Sequence, residues 1–350
     1  MEQQHENNQQ PKKRIVRRRV RYDRIFIALA IVIVFFILFF SCTCSCVKCV
    51  CSPSDGEETS STESENTTTT TESVSGTSVS TTIIGIGAGD ASSSDNTSDS
   101  QSGSSMMLTE NEVHAGPLAV VNANHQYTFP SNDANLVSVE ANRSSNYTVD
   151  NENVMLDETA VEHLNQFISE FSTIYGKNDV KVESAYRSQE EQDSKFANGS
   201  SVFEGGYSDY HTGRSFDLCI TPEDGMQSYY VASGDYAWIN ENAYKYGFIV
   251  RYPEGKMDST GVNPRAYTFH YVGIPHSYYM YNNNLSLEEY VEALKSYPAT
   301  SPLQVDTGDA VWTVFYNELS STGSTAVNIP TCQEYTISGD NINGFIVAYH

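Results

Sequence analysis

The apolar positions fall into four textures along the chain, and their order sets its organisation. Ile25 to Phe40 is an unbroken apolar run. Ser, Cys and Thr extend it through Val47 to the roughly 20 residues a helix needs to cross a bilayer. From residue 52 to about 110 the chain is Ser, Thr, Glu, Asp, Gly and Asn, with too few large apolar side chains to offset the entropy of ordering. Periodic patterns then return. Leu118–Asn122 reads as a short strand. Between Leu156 and Tyr175, Ala160, Val161, Leu164, Phe167, Ile168, Phe171 and Ile174 recur at helical spacing, with Asp157 as a cap. Strands are predicted at 180–184, 215–220, 247–250 and 266–272, and helices at 189–196, 236–246 and 285–294. The last fifty residues alternate like strands at 310–316 and 345–349, with Gly-rich turns between. The pattern predicts an α+β fold, a small antiparallel sheet with flanking helices, plus a C-terminal β extension that is either a separate module or an addition to the main domain. The boundaries are a basic tail at 1–24, a transmembrane helix at 25–47, a disordered stalk at 48–111, a folded domain at 112–298 and the β extension at 299–350.

Charge gives these segments a direction. The net charge is -24, from 20 Lys and Arg against 44 Asp and Glu, which excludes a general nucleic-acid binder. Eight of the basic residues lie between Lys12 and Arg24, just before the apolar run. The positive-inside rule puts that tail in the cytoplasm and everything beyond about residue 50 outside, as a single-pass cell-membrane protein. A cleaved signal peptide has the same order of basic then apolar residues, but the long basic tail and the lack of a small-residue cleavage site favour a retained anchor. Cys42, Cys44, Cys46, Cys49 and Cys51 cluster at the outer edge of the span, where they are acylated, disulfide-linked or a small-residue exit from the helix. Cys219 and Cys332 lie in the folded part, as a pair or as two separate thiols.

The candidate chemistry is concentrated between Gly205 and Asp217. A loop histidine, His211, followed by Asp217 on a strand is either two ligands of a metal or a turn cap and a member of a hydrogen-bond network. Arg187, after a predicted strand and among polar neighbours, either grips a carboxylate with its two-pronged guanidinium or forms a surface ion pair. His270 lies on a predicted strand between aromatic residues and is either packed or a further ligand. The chain's 23 tyrosines line a cleft or fill surface and core.

These segments fall in an order similar to that of the zinc D-alanyl-D-alanine carboxypeptidases of the VanY type, whose fold is called LAS. Ser184-Ala185-Tyr186-Arg187-Ser188 with Gln192 resembles the family's substrate-gripping segment. Gly206 to Asp217 resembles the segment written S-x-H-x-x-G-x-x-x-D. Tyr246 to Pro253, Tyr271-Val272-Gly273 and Leu287 to Tyr290 continue the likeness, which covers about 118–350. The resemblance implies that Arg187, Ser208 and Gln192 contact a peptide terminus, with cell-wall stem peptide as the partner. It also implies a zinc held by two histidines and Asp217, with a glutamate as general base. This chain departs from that pattern. Tyr210 stands at the first histidine position, Thr268 at the second, and Arg265 where the glutamate belongs. Of the three ligands only Asp217 is kept, and an arginine cannot take a proton from metal-bound water. The expectation is an inactive, extracellular peptide-binding protein that holds no cofactor. Its alternatives are an active zinc D,D-carboxypeptidase with His211 and His270 as substitute ligands and Asp258 as base, and a purely structural surface domain.

Overall fold

The computed structural model describes residues 104–350 apart from Asp224 and Gln333. The basic tail, the apolar span, most of the proposed stalk and the cysteine cluster lie outside the described residues. In chain order the strands are β1 (Ser104–Thr109), β2 (Leu136–Ser138), β3 (Thr148–Val149), β4 (Met155–Asp157), β5 (Val180–Ser184), β6 (Ser215–Ile220), β7 (Ser228–Tyr229), β8 (Phe248–Tyr252), β9 (Arg265–Tyr271), β10 (Leu303–Asp306), β11 (Val311–Glu318), β12 (Ser324–Ile329), β13 (Tyr335–Gly339) and β14 (Gly344–Tyr349). The longer helices are α1 (Glu158–Tyr175), α2 (Gln189–Ala197), α3 (His276–Asn282) and α4 (Leu287–Leu294).

The central sheet has the order β3-β5-β6-β9-β8, with β7 paired to β6 off that path. Only the β3–β5 pair is parallel, so the sheet is mixed rather than antiparallel throughout. Every residue of β6 is buried, which is why Ser-Phe-Asp-Leu-Cys-Ile shows no simple alternation of exposed and buried positions. Helix α1 covers this sheet. The Asp157 carboxylate accepts from Ala160 N–H at its start, and Gly176 at φ +67° ends it in the left-handed conformation that glycine adopts without cost. Its apolar face sends Val161, Leu164, Phe167, Ile168 and Phe171 into the core, each contributing about 1.5–3 kcal/mol of burial. Phe167 packs on the rings of Trp238, Tyr246 and Phe248.

A second core joins α3 and α4 to the sheet β10-β11-β14-β13. Leu287, Tyr290, Val291 and Leu294 are buried in one cluster with Leu303, Val305, Trp312, Val314 and Ile346. The β extension at 299–350 is thus an addition to the preceding residues, with which it shares a core. Strand β1 pairs with β12, and Leu108 and Val113 pack with Phe315, Val327, Ile329 and Phe345. Ser104 to Asn111 therefore do not belong to the stalk assigned to 48–111. A short alternating strand gains its ladder only from a distant edge, which local composition does not reveal.

Other boundaries shift for similar reasons. Leu118 to Val121 are buried but belong to no strand. Val120 N–H donates to the Asp340 carbonyl and Leu118 N–H to Ser338 Oγ, so the segment is tied down singly. The 236–246 helix is broken into a 3-10 turn, a short α-helix at Ala237–Asn242 and another 3-10 turn. Helix α3 was unanticipated, since His-Ser-Tyr-Tyr-Met-Tyr-Asn has no clear apolar period. Cys219 and Cys332 are both free thiols. Among the described residues, no helix is long and apolar enough to cross a membrane.

Candidate functional site

The site grows from the centre of the sheet. Asp217 on β6 lies opposite Ser184 on β5 and Thr268 on β9. The chain reaches β6 through a one-turn 3-10 helix, Asp209–Thr212, closed by Gly213 at φ +68°. That left-handed conformation favours glycine, and a Cβ there would also stand 2.5 Å from Leu136 Cδ2 and push that side chain aside. This turn places Tyr210 over Asp217. The Tyr210 hydroxyl donates to Asp217 Oδ1 at 2.6 Å, and the Thr268 hydroxyl donates to the same oxygen at 2.7 Å. Asp217 is 5% exposed. Burial pushes its carboxyl pKa above the ordinary value, although the two hydroxyls and the charges of Arg187 and Arg265 act the other way.

Arg187 and Gln192 form one wall. Gln192 is fully buried, and its Nε2 donates to Ser201 Oγ and to the Phe203 carbonyl, both at 2.7 Å. Its Oε1 accepts from Arg187 Nη1 at 3.2 Å, which fixes the guanidinium face-on to the Tyr210 ring with Cζ 4.0 Å from the centroid. Arg265 at the start of β9 is half-buried, with its Cζ 5.3 Å from the Phe203 ring and 5.7 Å from the Tyr252 ring. Ser208 is fully buried, and its hydroxyl has no hydrogen-bond partner among the described residues.

The two candidate substitute histidines are engaged elsewhere. His211 lies next to Tyr210 but points away from Asp217. Its Nδ1–H donates to the Arg187 carbonyl at 2.7 Å and its Nε2 accepts from Gly206 N–H at 2.9 Å. Those bonds fix a neutral tautomer, consistent with burial lowering the ring's pKa. His211 thereby ties the turn to the Arg187 segment, and Phe129 packs on it. The two nitrogens of His270 face Asp209 Oδ2 at 2.7 Å and the Pro117 carbonyl at 3.0 Å, with Ser215 Oγ also 2.9 Å from Nδ1. Asp258 is exposed on a four-residue helix, with no hydrogen bond or ion pair to the Asp217 cluster among the described residues. The neighbouring residues dock that loop on α4, where Lys256 pairs with Glu289 and Ser259 Oγ bonds Ser286 Oγ, leaving Asp258 on the solvent side.

The residues present do not fit zinc. A structural or catalytic zinc takes three or four N, S or O ligands. Here one oxygen of the Asp217 carboxylate is occupied by two hydroxyl donors. Among the described residues no imidazole bonds to it, and the guanidiniums of Arg187 and Arg265 raise the positive potential around it. Among the described residues, no group of three or more His, Cys, Asp or Glu side chains is placed to hold a metal ion.

Sequence reading missed the layer behind the site. Arg251 on β8 is 0% exposed. Its Nε donates to Asp209 Oδ1 at 2.9 Å, and its Nη1 and Nη2 donate to Glu288 at 3.1 and 2.7 Å. Asp209 also meets His270, and Ser215 Oγ donates a short hydrogen bond to it. Burial alone would raise the Asp209 pKa, but the charges of Arg251 and then His270 outweigh it and hold the carboxyl well below its usual range. The available signal was a charged residue inside the apolar run Phe248-Ile249-Val250-Arg251-Tyr252, which requires a partner when buried.

The family model described as VanY, D-alanyl-D-alanine carboxypeptidase, matches residues 153–274, the stretch that contains Arg187, Tyr210, Asp217, Arg265 and Thr268. The chain is 28% identical over 246 residues to a D-alanyl-D-alanine carboxypeptidase of Enterococcus faecium, covering 69% of this chain and 77% of that protein. It is 37% identical over 90 residues to a D-alanyl-D-alanine carboxypeptidase of Enterococcus faecalis, covering 26% of this chain and 32% of that protein. Among solved structures it is similar to a vancomycin resistance D,D-dipeptidase, VanXYg, in complex with a D-Ala-D-Ala phosphinate analog. The TM-score is 0.61 at 26% identity, over 71% of this chain and 99% of the other.

Proposed function

Because this chain belongs to the VanY family of D-alanyl-D-alanine carboxypeptidases, we propose that it binds a peptide C-terminus, that of cell-wall stem peptide, without cleaving it. The observation that carries this reading is the pair of hydroxyls from Tyr210 and Thr268 on Asp217 Oδ1. They supply to the carboxylate the positive partners that a metal would supply. Arg265 beside it cannot serve as a base for water. The binding parts are kept in a form suited to a carboxylate. Arg187 is oriented by Gln192 and backed by the Tyr210 ring, so its planar fork presents N–H donors with little loss of freedom on binding. The buried, unpartnered Ser208 hydroxyl is a further donor. In this reading residues 25–47 anchor the chain, the tail at 1–24 is cytoplasmic, the stalk spaces the folded part from the membrane, and that part faces the cell wall.

Titration of the full chain with an N-acetylated stem-peptide analogue ending in D-Ala-D-Ala tests this. Saturable binding is expected, with no free D-alanine released. Arg187→Gln should weaken it on the order of tenfold or more, the scale of a lost charge-assisted pair. Release of D-alanine at one equivalent per peptide would contradict the reading, as would binding indifferent to Arg187→Gln.

A further inference from the structure

We infer that the mouth above Asp217 is a two-arginine clamp for a peptide terminus that carries a second carboxylate beside the first, and that Arg265 reads the second one. The inference rests on the peptide-terminus reading above and adds to it the class of peptide.

Its basis is a pair of arginines that, among the described residues, have no direct ion pair in an acidic protein. With 44 Asp and Glu against 20 Lys and Arg, an arginine in this chain has many potential partners. Arg143, Arg214 and Arg251 each take one, forming ion pairs with Glu140, Asp133 and Asp209. Arg187 and Arg265 form no direct ion pair among the described residues, although both are half-buried; the carboxylate their charges reach is Asp217, whose Oδ1 is already taken by two hydroxyls. Instead each has aromatic rings for neighbours, Arg187 over Tyr210 with Cζ 4.0 Å from the centroid and Arg265 5.3 and 5.7 Å from the centroids of Phe203 and Tyr252. A cation–π contact engages the charge without using up the N–H donors, and apart from the Arg187 Nη1 bond to Gln192 those donors are available to an anion.

Two chains of contact tie both cations to the Asp217 cluster, and both charges act on its carboxylate. On one side, Arg187 bonds Gln192, Gln192 bonds the Phe203 carbonyl, and the Phe203 ring carries Arg265. On the other, Tyr210 beneath Arg187 and Thr268, three residues along β9 from Arg265, both bond Asp217 Oδ1. Asp217 closes the ring between the two cations. This arrangement selects the ligand. A compact polyanion such as phosphate, centred between the guanidiniums, faces the Asp217 carboxylate. Two carboxylates spaced along a peptide each meet one guanidinium edge and flank that repulsion.

Two N-acetylated peptides of equal length, one ending in D-Ala-D-Ala and one in D-Ala-D-Glu, are titrated into the full chain at low salt. The acidic peptide should bind on the order of tenfold more tightly. Arg265→Gln should abolish that preference, while Arg265→Lys keeps part of it. Arg187→Gln should weaken both peptides. Equal affinities in the unmodified protein, or a preference that survives Arg265→Gln, overturn the two-arginine clamp and leave the peptide-terminus reading standing. Binding of neither peptide overturns both. Inorganic phosphate that competes as well as the acidic peptide overturns the choice of a spaced dicarboxylate.

Discussion

Arg251→Ala should cost the fold about 3–5 kcal/mol, more than any single change at the rim of the site. Arg251 is 0% exposed and makes four bonds, one to Asp209, two to Glu288 and one to the Val121 carbonyl. Its removal leaves two carboxylates in the interior. Asp209 keeps His270 and Ser215, whereas Glu288 keeps only Asn122 Nδ2 at 3.2 Å. Lysine is a poor replacement, because a single ammonium cannot span two carboxylates as the guanidinium fork does. The effect reaches the site through the chain, since Asp209 sits between Ser208 and Tyr210 in the turn above Asp217. Equilibrium urea unfolding of the full chain measures it. A loss below about 1 kcal/mol would mean the cluster is not the internal brace proposed here.

Stability should also fall steeply on the acid side, beginning near pH 6.5. His276 is buried between α3 and α4, its Nδ1 accepting from the Tyr290 hydroxyl at 2.7 Å. Burial pushes its pKa down to about 3 from an ordinary 6.5. Between those values the unfolded chain binds a proton that the folded chain does not. The stabilisation is therefore complete above pH 6.5 and is lost as pH falls toward 3. At about 1.4 kcal/mol per pH unit this single ring contributes on the order of 5 kcal/mol. His163 and His211 are also lowered by burial and act with the same sign. Asp209, held below its usual range by Arg251 and His270 against its own burial, adds a loss that begins only below its ordinary value near 3.8. Thermal unfolding from pH 7.5 to 4 should show the melting temperature dropping through this window, and His276→Gln should flatten the slope. A profile flat down to pH 5 would contradict it.

Much of the fold was legible because its signals are local. The period of α1 and its Asp157 cap lie within twenty residues of one another, and the strand centred on Asp217 follows a Gly-rich turn. The site was legible through spacing. The resemblance singles out Tyr210, Asp217 and Thr268 from distant parts of the chain, and in the structure the hydroxyls of Tyr210 and Thr268 meet at one oxygen of Asp217. What stayed hidden depends on distant partners. Nothing near Met106 or Leu108 announces β12, and nothing near Asp209 announces Arg251 or Glu288. The histidines misled for the same reason. His211 and His270 were the imidazoles nearest the expected positions, but backbone carbonyls of Arg187 and Pro117, invisible in a sequence, determine where their nitrogens point.

The central claim is that hydroxyls on Asp217 stand in place of a metal. The zinc content of the purified full chain, after incubation with equimolar zinc and removal of excess, measures this directly. The account predicts well below one zinc per chain, with no change in Asp217→Asn, whose amide oxygen still accepts from Tyr210 and Thr268. One zinc per chain, lost in Asp217→Asn, would contradict it.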